Sequence, residues 1–468
     1  RLYILKVENM LEGYNMKRPN ILFIMSDDHA AHAISAYKSR INKTPNIDRI
    51  ANEGMIFDNC FCTNSICAPS RATIISGTHT HINGVTKLNI PFDGRQPTFP
   101  KILSEGGYTT AMIGKWHLGH GGNSDPTGFD YWNVLPGQGE YFDPVMIEMG
   151  EKKKLSGYVT DIITDLSINW LENRDKTKPF MLMCHNKAPH RPWIPDKVHE
   201  DMYENEDIPE PETFNDNYEN RSSAAKEAWM RVDKNLNFYD VKQQEPTGLS
   251  DTQLKSWKYQ RYIKDYLKCI ASIDDNVGRI LDYLEDNNLY EDTIVVYTSD
   301  QGFFLGDHGW FDKRLMYEES LRMPFVMRYP RMIKPGSRSD EIVLNLDFAQ
   351  TFIDFAQLDA DPVMQGRSFK KIAAGENVDD WRKSMYYRYY DFPSMHNVYP
   401  HYGIRTKKYK LICYYPAGES SEEGMKPLRD IEWELFDLEK DPQEMHSVYF
   451  DEHYKDVVDK LKKELAAI

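Results

Sequence analysis

Cysteine is scarce in this chain. The six present (Cys60, Cys62, Cys67, Cys184, Cys269 and Cys413) are spread over 468 residues without a regular framework, which excludes a disulfide-held scaffold. Cys60-Phe61-Cys62 is too tightly spaced for a zinc knuckle, so the cysteines other than Cys67 read as reduced core residues. No run of eighteen apolar residues occurs, so no transmembrane helix is expected. The opening stretch, Arg1 to Glu8, lacks the hydrophobic segment of a signal peptide, and Met16-Lys17-Arg18-Pro19-Asn20 has the look of a natural start. Location stays open on these grounds: cytoplasmic, or periplasmic or secreted if a leader has been removed. Positive charge is also in deficit. A formal net charge of −15 argues against a nucleic-acid partner, and it requires that any site for an anionic substrate be locally basic. There is no internal repeat and no low-complexity tract.

Apolar residues are plentiful at 41%, enough for a substantial core. Four short apolar runs each end in polar residues. Ile21–Met25 leads into Ser26-Asp27-Asp28-His29, and Thr109–Ile113 into Gly114-Lys115-Trp116-His117. Phe180–Cys184 leads into His185-Asn186-Lys187-Ala188-Pro189-His190, and Thr293–Tyr297 into Thr298-Ser299-Asp300-Gln301. Runs of this length suit strands buried on both faces. Helical segments near 47–53, 70–76, 160–173, 259–287 and 346–356 alternate with them, giving an α/β sheet with helices on both sides. Ligands in such sheets bind beyond the carboxyl ends of the strands, where all four polar clusters lie. Residues 200–255 break the rhythm and read as a polar surface insertion. After about residue 375 the chain becomes Tyr-rich, with strand-like segments at 384–390, 402–406, 409–415 and 433–437 and a helix at 454–465. The expected division is a domain over 17–375 and a small α+β subdomain over 376–468.

The most informative string is Cys67-Ala68-Pro69-Ser70-Arg71-Ala72-Thr73-Ile74-Ile75-Ser76-Gly77. Pro69 suits the first position of a helix, which puts Cys67 at the positive end of the helix dipole, with the Arg71 guanidinium one turn on. That is a reactive group aimed at an anion. Asp27-Asp28 and Asp300-Gln301, at two strand ends, offer carboxylate and amide oxygens to a hard cation such as Ca²⁺ or Mg²⁺; the absence of thiolate or His pairs argues against structural zinc. Lys115, His117, Lys187, His190, Lys313 and Arg71 supply the local positive charge that an acidic protein would need.

These blocks, together with Thr44–Arg49, Gly107–Gly119, Thr298–Lys313 and Glu434–Pro442, resemble those of the sulfatase family in order and content over roughly residues 17–448. The resemblance implies an alkaline-phosphatase-like mixed sheet sandwiched by helices, with a smaller C-terminal antiparallel sheet and helix. It implies that Cys67 is oxidised to formylglycine (3-oxoalanine) by a maturation enzyme, and that Ca²⁺ is held by Asp27, Asp28, residue 67, Asp300 and Gln301, Gln301 replacing the more usual Asn. Arg71 and Lys115 would hold the formylglycine diol, and Lys115, Lys187 and Lys313 the transferred sulfuryl group. His190 would protonate the departing alcohol, and His117 would deprotonate the remaining hydroxyl so that aldehyde and sulfate separate.

The leaving alcohol is read from weaker signals. The segments around His185–Trp193, Pro211–Phe214 and His396–Arg405 resemble bacterial carbohydrate sulfatases of the N-acetylglucosamine-6-sulfatase type, acting on glycosaminoglycans or mucin glycans. Tyr389, Asp391, His396, His401 and Arg405 are candidates for a sugar pocket; the alternative is a Tyr-rich packing layer between domains. Rival activities are an aryl or hexuronate 2-O sulfatase, a phosphonate monoester or phosphodiester hydrolase, and a non-catalytic sulfoglycan-binding protein.

Overall fold

The computed structural model describes residues 18–39, 41–416 and 430–467; the segment before Arg18, including the Met16 start, lies outside the described residues. A ten-stranded mixed sheet runs in the order Ser337–Ser339, Met55–Phe57, Phe325–Arg328, Thr293–Ser299, Asn20–Ser26, Phe180–His185, Thr109–Lys115, Tyr131–Leu135, Val145–Glu148, Glu151–Lys154. The four apolar runs are its adjacent central strands and are all parallel. Their registers align Met25 with both His185 and Thr298, and Gly114 with His185, so the polar clusters emerge side by side at one edge.

Alternation along these strands builds two cores. Ile21, Phe23 and Met25 pack on one face with the helices Cys67–Ser76 and Asp347–Phe355. Leu22 and Ile24 pack on the other face with Val159–Asn173 and the 36-residue helix Asp251–Asp286, which starts eight residues before the expected position. The latter is capped by Ser250 in a reciprocal box with Gln253, the local signal that sets its start. All six cysteines are buried and free.

Residues 200–255 are only partly the surface insertion expected: residues 204–207 and 243–253 are exposed, but the middle of the segment is packed into the protein. They carry short helices at Ser223–Glu227, Val232–Asn235 and Phe238–Val241, and Phe214, Tyr218, Met230, Val232, Leu236 and Val241 are buried. Polar composition hid this packing because the apolar residues there follow no single period.

The C-terminal strands Ser384–Tyr389, His401–Thr406, Tyr409–Tyr414 and Glu432–Asp437 form an antiparallel sheet in chain order. One face sends Met385, Tyr387, Tyr389, Tyr414 and Phe436 into the main core. The other face packs Ile404, Leu411 and Leu435 against Val458, Leu461 and Leu465 of the helix Lys455–Leu465.

Candidate active site

Cys67 is the first residue of its helix, and Pro69 the third, so the thiol sits two positions closer to the helix start than the sequence reading put it. It is 1% exposed, and Sγ lies 3.3 Å from Asp27 Oδ1. Here the helix dipole loses to burial: desolvation, with Asp300 and Asp28 nearby, pushes the thiol up to about 12 against the pull of Lys313 and Arg71.

Around it, Asp27, Asp28 and Asp300 bring carboxylate oxygens within 4.8 Å of one another, all buried. Each has its own cation. Lys115 Nζ pairs with Asp27, Lys313 Nζ lies 2.7 Å from Asp28 Oδ2, and Arg71 Nε donates to Asp300 Oδ2 at 3.0 Å. Arg71 also donates to the Lys115 carbonyl at 2.6 Å, tying the Cys67 helix to the Thr109–Lys115 strand. Crowding among the carboxylates is visible in Asp28, which burial and Asp300 raise to about 6 despite Lys313. Gln301 Nε2 donates to Asp28 Oδ1 at 2.5 Å, while its Oε1 is buried without a partner among the described residues. Three clustered carboxylates and an unsatisfied amide oxygen are the donor set of a hard cation, and these residues fit one.

Asp28 and His117 adopt positive φ, +67° and +57°, unusual for residues with side chains and often found where a strand end is re-aimed at a site. His117 is held neutral by burial and by Lys115, and its Nδ1 has no hydrogen-bond partner among the described residues. His190 Nδ1 is 2.7 Å from the Arg191 carbonyl, so that nitrogen carries the proton and Nε2 faces inward, 3.9 Å from Asp28 Oδ2. Burial and the three lysines Lys115, Lys313 and Lys187 keep its pKa well below the usual value. Lys187 sits 4.7 Å over the Tyr141 ring, and burial lowers its ammonium to about 8.

The cluster opens into a cavity of about 630 Å³ whose lining includes Cys67, Lys187, His190, Lys313 and His396. Of the residues expected at a sugar pocket, His396 is there, 3.3 Å from Asp312. His401 is not. It is fully buried among the rings of Tyr387, Tyr389 and Tyr414, with Nδ1 on the Tyr399 carbonyl, because the first position of its strand points into the core. Arg405 also lies elsewhere, paired with Glu318 and stacked on Phe61, facing a separate cleft beside His32 and Asp307. Asp391 stands behind the wall, its carboxylate 3.9 Å from Arg314 and its carbonyl accepting from Tyr389. That portion of the Tyr-rich segment is a packing layer.

Residues not singled out from the sequence complete the wall. Gln138 Oε1 accepts from Lys115 Nζ at 2.5 Å; it follows the strand Tyr131–Leu135, so the rule that found the other clusters applies to it once that strand is known. Asp312 and Arg314, flanking Lys313, pair at 3.1 Å and line the cavity. Asn237 and Tyr239 come from the segment read as an insertion.

The sulfatase family model matches residues 19–358, and a second model, for the C-terminal region of N-sulphoglucosamine sulphohydrolase, matches residues 306–468. An N-acetylglucosamine-6-O-sulfatase from Bacteroides thetaiotaomicron is 45% identical over 479 residues, which is 92% of this chain and 83% of the relative. The human N-acetylglucosamine-6-sulfatase is 27% identical, over 80% of this chain and 67% of its own. A solved structure holding its substrate D-glucosamine-2-N,6-O-disulfate is 44% identical, with a TM-score of 0.91 over 96% of this chain and 97% of the other. The phosphonate monoester hydrolase of Agrobacterium radiobacter, 20% identical at a TM-score of 0.76, shares the fold alone. The chain belongs to the sulfatase family and is a sulfuric ester hydrolase.

Proposed function

We propose that the enzyme removes 6-O-sulfate from N-acetylglucosamine or glucosamine in sulfated glycans. The observation that carries the reading is the position of residue 67, which stands between three cation-balanced carboxylates and a cavity lined by Lys187, His190 and Lys313. The sugar is supported by the likeness to the Bacteroides enzyme and to the glucosamine-disulfate complex.

Cys67, at the head of its helix and 3.3 Å from Asp27, is the residue that a separate maturation enzyme would oxidise to formylglycine; the hydrated aldehyde then supplies a hydroxyl nucleophile. Asp27, Asp28, Asp300 and Gln301 would hold Ca²⁺, with Mg²⁺ as the alternative, and the bound ion would acidify that hydroxyl and neutralise sulfate oxygens. Lys115, Lys187 and Lys313 hold the sulfuryl oxygens as charge builds on them. An incoming sulfate anion offsets the lysine charges that depress His190, so Nε2 gains the proton it gives to the departing sugar oxygen. His117, held neutral by burial and with no partner for Nδ1 among the described residues, accepts the proton that releases sulfate from residue 67.

Two measurements test this. Mass spectrometry of the peptide containing residue 67, from a host with maturation machinery, should find the aldehyde; a plain thiol in fully active protein refutes the mechanism. Parallel assays on 6-sulfated N-acetylglucosamine, an aryl sulfate, a hexuronate 2-sulfate and a phosphodiester should favour the first, and turnover of another alone refutes the substrate.

A further inference from the structure

The cavity is larger than the sulfate site, and its outer half has a chemistry of its own. Tyr239 and Met395 line it from opposite segments yet are 63% and 68% exposed, so they form its mouth. Leu88, partly buried against the core, and the exposed Glu140 also line the cavity. Side chains this apolar and this open, continuous with a catalytic cavity, mark a surface that something covers during turnover.

The mouth is also fixed in place. Tyr239 belongs to the turn Phe238–Val241, whose Asn237 cap and Asp240 close a capping box. Asp240 is fully buried and takes both arms of the Arg191 guanidinium, one at 2.7 Å. Arg191 follows His190 and holds its Nδ1 through a carbonyl, so the platform and the proposed general acid share one support. On the far side, the Trp229 backbone exchanges hydrogen bonds with His396, 2.7 Å to its carbonyl and 3.0 Å from its ring.

Arg191 is spent on Asp240, and Arg314 on Asp312 and Tyr389. Glu140 has no ion pair among the described residues; it lines the same cavity as the buried Lys187, the cation its charge acts on.

We infer that the outer half of the cavity is a second sugar site that takes an uncharged saccharide, joined to the sulfated sugar, across Tyr239 and Met395, and that Glu140 disfavours a uronate there. An aromatic ring and a thioether suit the apolar face of a pyranose, and a free carboxylate accepts hydroxyl hydrogen bonds but repels a second carboxylate. The inference rests on the substrate reading above and narrows it to glycans with a neutral neighbour, as in mucin-type chains, over uronate-containing ones.

The test compares kcat/KM for three substrates: 6-sulfated N-acetylglucosamine alone, and the same sugar joined through its anomeric carbon to galactose or to a uronic acid. The galactose disaccharide should exceed the monosaccharide by roughly tenfold and the uronate disaccharide by more. In Tyr239→Ala the ratio of galactose disaccharide to monosaccharide should fall about fivefold, and in Glu140→Gln the uronate disaccharide should gain about fivefold relative to the galactose one. Equal kcat/KM for all three in the wild type overturns the second site while leaving the substrate reading intact, as does a Tyr239→Ala loss equal on monosaccharide and disaccharide. Hydrolysis of an aryl sulfate with none of the three saccharides turned over removes the substrate reading and this inference together.

Discussion

Adding Ca²⁺ to chelator-treated protein is expected to raise its melting temperature by an amount the site allows us to work out. Three buried carboxylates from two strand ends, Asp27, Asp28 and Asp300, are balanced one to one by Lys115, Lys313 and Arg71. The clustered oxygens suit a dication, and the unfolded chain offers it no equivalent cluster. A ligand binding only the folded state at about a hundredfold excess over its Kd stabilises by about 2.7 kcal/mol. With unfolding entropy near 2.1 cal/mol/K per residue, the 468 residues give about 1 kcal/mol/K, so the midpoint should rise by about 3 °C. Differential scanning calorimetry with Ca²⁺ and with chelator reads this without reference to activity. Asp300→Asn should lose the shift, because the difference is taken within each protein and so is insensitive to the cost of the substitution itself. A midpoint unmoved across roughly a thousandfold range of Ca²⁺, or a full shift retained in Asp300→Asn, would refute the site.

Four further outcomes are expected. Cys67→Ala should lower kcat by at least about a thousandfold with little change in melting temperature; retained turnover would place the nucleophile elsewhere. His401→Ala should cost about 2–4 kcal/mol in urea unfolding, since three tyrosine rings enclose it, while KM for a sulfated sugar holds steady at temperatures where the variant is folded. Arg191→Met leaves the buried Asp240 carboxylate unpaired and should cost about 2–3 kcal/mol, somewhat below the usual range for a fully buried pair because Arg191 is 22% exposed; adding Asp240→Asn should recover most of it, and additive losses would mean the pair is uncoupled. Gly114→Ala should fail to accumulate as soluble protein, because φ there is +103° and a Cβ would collide with the His185 carbonyl on the neighbouring strand; a normal yield and melting temperature would contradict that packing.

What could be read from the chain was whatever is written in contiguous residues. The four apolar runs name buried parallel strands by themselves, and a polar cluster directly after each run needs only the carboxyl-end rule to be sent toward one site. Cys67, with Pro69 and Arg71 around it, carries its meaning within eleven residues. His401 and Arg405 failed for the opposite reason. Polarity gives a residue's type but not what its face of the strand meets: His401 and Arg405 share the face turned toward the main domain, where His401 goes into tyrosine rings and Arg405 to Glu318. The stretch at 200–255 looked like surface because its few apolar residues follow no period, yet they are the ones that anchor it.

By itself, then, the sequence determined the sheet, the strand-end clusters and the supply of charge, since each depends on local pattern. Tertiary structure alone decided the one-to-one pairing of carboxylates with cations, because Asp28 meets Lys313, and Asp27 meets Lys115, only when distant strand ends are brought into register. It also decided the burial of Cys67 beside Asp27, and the outer wall of the cavity, which Arg191 and Asp240 assemble across some fifty residues of chain.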